Sequence, residues 1–171
     1  MIAAAPRPMN LAAWIGGPIL VCALASLILT VPLRIFSLAL PQPVFALVPA
    51  FAWALTRPSV LPPLALFVSG LFLDLLWGGM PGLWPICLLA AYGPIYWARA
   101  NLAGRGFWAL WLAYGLACAL ALSLGALIVG LRAGMSVNLL ALVWQFLVTA
   151  ALYPFAWRLL TRYEEAEPRF R

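Results

Sequence analysis

FVSGLFLDLLWGGMPGLW, residues 67–84, sets an aspartate in an otherwise apolar run and then breaks the chain with glycines and a proline. Asp74 is the only acidic residue before Glu164. A carboxylate inside a lipid-spanning segment costs about 2.5 to 3.5 kcal/mol on insertion scales, so a chain that keeps one gives it a partner. The pattern predicts one helix ending at Trp77, a turn built on Gly78, Gly79, Pro81 and Gly82, and another helix starting at Leu83.

The surroundings of that hairpin are as apolar as the hairpin itself. Of 171 residues, 67% are hydrophobic and 8% charged, with a mean hydropathy of +1.06. That is more apolar surface than a soluble domain of this size needs. The composition therefore predicts a single integral membrane domain. Long apolar runs punctuated by Gly, Pro and Arg fit helices; a barrel would alternate in segments of about ten residues. Six spans are expected, over residues 14–33, 38–55, 60–77, 83–98, 107–131 and 137–160, the second and fourth short and kinked by prolines. The first run could instead be a signal peptide, but its apolar core exceeds the usual length, and a retained helix is the better reading.

The arginines test this count. All ten basic residues are arginine and the net charge is +6. With six spans, Arg7, Arg57, Arg99, Arg105, Arg158, Arg162, Arg169 and Arg171 fall on one side, against Arg34 and Arg132 on the other. Short cytoplasmic loops collect arginine, so the bias predicts a multi-pass protein of the cytoplasmic membrane with both termini inside. Trp14, Trp53, Tyr96, Trp97, Trp108, Tyr153 and Trp157 then fall near the inner boundary as headgroup anchors, and Trp77 and Trp84 near the outer one. Arginines scattered singly between apolar runs do not make a nucleic-acid face.

Catalysis lacks its parts. There is no histidine and no lysine, the serines have no basic partner in any motif, and neither GxGxxG nor a P-loop occurs. Cys22, Cys87 and Cys118 lie apart in apolar runs, which argues against a zinc site or a disulfide framework. No enzyme activity, cofactor or metal is expected. Asp74 is expected either to pair with Arg34 or Arg132, or to accept backbone N–H groups at the start of the fourth helix; gating a pathway or contacting a partner's extracytoplasmic segment is the functional alternative. Helical spacing places Pro63, Phe67, Gly70 and Asp74 on one inward face, where Gly70 admits a close neighbour. Gly115, Ala119 and Ser123 form one small-residue stripe in the fifth span; Ala113, Ala117, Ala121 and Gly125 form a second. Asn138, Gln145 and Thr149 share a face of the sixth span, suited to bonds across helices.

The run GLFLDLLWGGMPGLWPICLLAAYGPIY, residues 70–96, resembles the hallmark of the rod shape-determining protein MreD family. Gly70, Leu71, Leu73, Asp74, Leu75, Leu76, Gly78, Gly79, Pro81, Gly82 and Leu83 carry the likeness, and length and span number agree with it. Trp84 stands where many relatives have histidine or asparagine. The resemblance implies a six-helix bundle similar to the S components of energy-coupling factor transporters. It also implies a non-enzymatic scaffold of the bacterial cell-elongation complex. Its expected partner is MreC, through the membrane helix and extracytoplasmic domain; RodA, a class B penicillin-binding transpeptidase and MreB are expected indirectly. The alternative is a vitamin-type substrate-binding subunit of a transporter.

Overall fold

The computed structural model describes residues 12–29, 34–35, 38–39, 42–56, 59–134 and 138–166. Among the described residues, seven α-helices make up an all-α fold. A π-helical turn, Ala12–Gly16, leads into α1, Gly17–Leu29; α2 is Leu47–Thr56, α3 Leu61–Trp77, α4 Leu83–Leu102, α5 Phe107–Ala133, α6 Leu139–Ala150 and α7 Tyr153–Ala166. Two dipeptides, Arg34–Ile35 and Leu38–Ala39, pair antiparallel between α1 and α2.

The second expected span differs most from the sequence reading. Helix begins only at Leu47, so the prediction over 38–55 is corrected to ten residues. Ten residues rise about 15 Å, half of a bilayer core. Every residue from Leu47 to Ala54 is buried, Trp53 included. A helix apolar all round belongs in the middle of a bundle, and α2 packs against α4 and α7, with further contacts to α3 and α5. Phe51 meets Tyr114 and Tyr153 edge-on, at centroid distances of 5.3 and 6.4 Å.

The sixth span is also interrupted. Residues 151–152 form a turn between α6 and α7. Pro154 supplies the reason: it has no N–H to donate, and its ring collides with the carbonyl four residues back, that of Ala150. Counted through this turn, Leu139–Arg162 is long and apolar enough to cross a membrane, as is Phe107–Arg132.

The remaining contacts sort the stripes. On α5, Ala113, Ala117 and Ala121 are buried, and a Cβ on Gly125 would stand 3.3 Å from Cys87 Sγ of α4, so that stripe is the packing face. Ala119 and Ser123 are exposed, so the other stripe faces outward. On α3 the inward face is Pro62, Leu66, Gly70, Leu73 and Asp74; Phe67, expected inside, is exposed and Pro63 is half-buried. Among the aromatics, Trp97 and Trp108 are exposed, whereas Trp14, Trp53 and Tyr153 are core residues. Leucines and valines are exposed along α1, α5 and α6.

Candidate functional site

The hairpin between α3 and α4 is assembled around both ends of one residue. The Asp74 carbonyl accepts from Gly78 N–H, at φ 61°, and from Gly79 N–H at 3.2 Å, which ends α3. The side chain then reaches across the turn. Gly82 N–H donates to Asp74 Oδ2 at 2.6 Å, and Trp84 N–H to Oδ1 at 3.0 Å. The first amides of a helix have no partner within it, and here an aspartate eight residues upstream supplies one in place of a local cap. Gly82, at φ 93°, occupies the cap position with no side chain of its own to offer. The negative charge also lies at the positive end of the α4 dipole. Leu83 N–H closes the turn on Met80 O, while Pro81 is exposed.

Of the two partners open to Asp74, the second is the one found. Both oxygens go to backbone N–H groups and the residue is buried at 4% exposure. Arg132 is exposed near the end of α5, and the Arg34 side chain lies outside the described residues, as do Arg57 and Ser136. Trp77 and Trp84 close over the turn edge-on, 4.9 Å apart.

A second polar knot joins α5 and α6 to the chain before α2. Thr149 Oγ1 accepts from Val44 N–H at 3.3 Å and donates to Gln145 O at 2.7 Å. Tyr114 Oη donates to Thr149 O at 3.1 Å, and Gln145 Nε2 to Gln42 O at 3.2 Å. Residues 42–44 form no helix, so their backbone groups need such partners, and hydroxyl and amide side chains of α6 serve. Asn138 is not part of the knot. It caps α6, its Oδ1 accepting from Leu140 N–H and Ala141 N–H, and it is exposed. Thr149→Val keeps the shape but strands the Val44 N–H, and should lower stability in detergent by about 1 to 2 kcal/mol, with Thr149→Ser restoring most of it. Equal unfolding curves for Val and Ser would remove the hydroxyl from the account.

Between these two features runs a groove of about 190 Å³ along α4, α5 and α6, lined by Trp84, Cys87, Gly125, Leu142 and Gln145 among others. Gln145 brings its amide, already committed to Gln42. Asp74 is not in this lining. No group of three metal-ligating side chains occurs among the described residues. What fold and site define is an all-α bundle organised on a carboxylate-capped helical hairpin. No family model, curated protein or solved structure matches the chain.

Proposed function

We propose that the protein is a non-enzymatic, multi-pass scaffold of the bacterial inner membrane that serves the cell-elongation complex in the manner of MreD, holding MreC and through it RodA, a class B penicillin-binding transpeptidase and MreB. The observation that carries this reading is the use made of Asp74. Asp74, the one acid among the described side chains, has both oxygens consumed by backbone amides of its own hairpin, so the residue best suited to chemistry is committed to shape. The same residues that carry the family likeness, Gly70, Asp74, Gly78, Gly79 and Gly82, are those that set this shape. Exposed leucine and valine along α1, α5 and α6 suit a lipid or helix neighbour better than water.

The transporter alternative gains less. Small-molecule pockets occupy about 300 to 1,000 Å³ with several convergent polar groups, against the smaller, nearly apolar groove here. Co-expression with MreC, followed by purification in mild detergent, tests the proposal. Stoichiometric retention of MreC is expected, and a well-folded bundle that never retains it would end the reading.

A further inference from the structure

Along α6 and α7 every exposed residue from Leu139 to Phe155 is apolar, Val143, Trp144, Leu147 and Pro154 among them. Polar exposure resumes at both ends, with Asn138 before Leu139 and with Arg158 and Arg162 beyond Phe155. Counted through the turn at 151–152, the rise from Asn138 to Arg158 is about 30 Å, the thickness of a bilayer's hydrocarbon core. An apolar band of that height, closed by arginine, sets Arg158 where hydrocarbon gives way to headgroups.

The start of α5 comes to the same level. Phe107 meets Tyr153 and Trp157 edge-on, at 4.9 and 5.3 Å, and Tyr153 Oη donates to Phe107 O at 3.0 Å. Trp108, exposed, meets Phe107 at 5.5 Å. Rings of this kind gather at the headgroup boundary. Arg105 stands two residues before Phe107, a reach of about 7 Å at most, and Arg158 directly follows Trp157. Each of the two joined segments therefore carries an exposed arginine beside the rings. Neither arginine has an acid within four residues, and Asp74, the one carboxylate among the described side chains, is bonded at the α3–α4 turn. Arg105 Nε donates to Asn101 O at 2.8 Å, and among the described residues no acceptor takes the terminal nitrogens of either guanidinium. Arg162, one turn further on, has Glu164 and Glu165 near it in sequence to answer its charge.

We propose that Arg105 and Arg158, with the rings of Phe107, Trp108 and Trp157 beside them, form a docking surface for the headgroups of anionic lipids. It rests on the membrane reading above, which puts this end of the bundle in the cytoplasmic leaflet, where anionic lipids collect. A guanidinium takes phosphate oxygens in pairs. Zwitterionic headgroups offer the same phosphate together with a cation that the arginines repel.

Thermal unfolding of the full chain in neutral detergent tests the surface, with phosphatidylglycerol, phosphatidylcholine or inorganic phosphate added. Phosphatidylglycerol should raise the melting temperature about twofold more than phosphatidylcholine does. Arg105→Gln and Arg158→Gln should each remove about half of that excess, and the double variant should abolish it. Arg158→Lys, which keeps the charge, should retain most of it, and so should Arg132→Gln, at the other end of α5. Without lipid all these variants should melt close to the parent, since the side chains are exposed. Equal shifts by the two lipids in the parent, or an excess that survives the double substitution, overturns the surface. A response to inorganic phosphate as large as that to phosphatidylglycerol assigns the arginines to a free anion and overturns the lipid partner. Alkaline washing of membranes from the producing cells separates the two readings: a chain it releases ends the membrane reading, whereas a retained chain without the phosphatidylglycerol excess ends only the surface.

Discussion

Asp74→Ala should lower the unfolding free energy by about 3 kcal/mol, because it strands two half-buried amides at about 1 to 3 kcal/mol each and deletes a charge from the α4 N-terminus. The two bonds are separable in principle. Asp74→Asn keeps one carbonyl oxygen for an amide but turns an NH₂ toward the other, so it should fall between the parent and Ala. Denaturant or thermal unfolding in detergent measures the series. Arg132→Gln is the control that decides what kind of partner Asp74 has. An exposed arginine outside the contact should cost less than about 0.5 kcal/mol. If Arg132→Gln instead matched Asp74→Ala, an ion pair would be holding the hairpin and the amide bonds would be incidental.

That hairpin was legible in the sequence because everything it uses is local. An acid in an apolar run, two glycines, a proline and a third glycine fall within nine residues, and each has a physical reading that needs no knowledge of distant chain. The prolines marked the second run as short, but where α2 starts was not legible, for the opposite reason. An apolar run reads alike whether it meets lipid or protein, and what halts helix before Leu47 is a set of partners more than a hundred residues away, Thr149 for Val44 and Gln145 for Gln42. The break between α6 and α7 did have a sequence signal, Pro154, set against a continuous hydropathy pattern. Asn138 was placed with Gln145 and Thr149 by periodicity, yet a residue at the first turn answers to capping before it answers to a face.

Gly70→Ala should destabilise by about 2 kcal/mol although alanine is the better helix former by about 1 kcal/mol, so the sign of the effect is itself diagnostic. A Cβ built on Gly70 would lie 2.6 Å from Pro85 Cα and 2.8 Å from Pro85 Cδ, and would also meet Pro85 N. Backbone cannot rotate aside as a flexible side chain can, so α3 and α4 must part. Gly115→Ala, where nothing lies within 4 Å, should be neutral or stabilising and reports the propensity term alone. The separation has a further consequence. Pro85 directly follows Trp84, whose amide is held by Asp74, so moving the start of α4 outward also lengthens the carboxylate bonds. Gly70→Ala and Asp74→Ala therefore disrupt partly the same thing, and the double variant should lose less than the sum of the two, by more than about 0.5 kcal/mol. Strict additivity would mean that helix approach and carboxylate capping are independent, and that the close contact at Gly70 exists for some purpose other than bringing α4 within reach of Asp74.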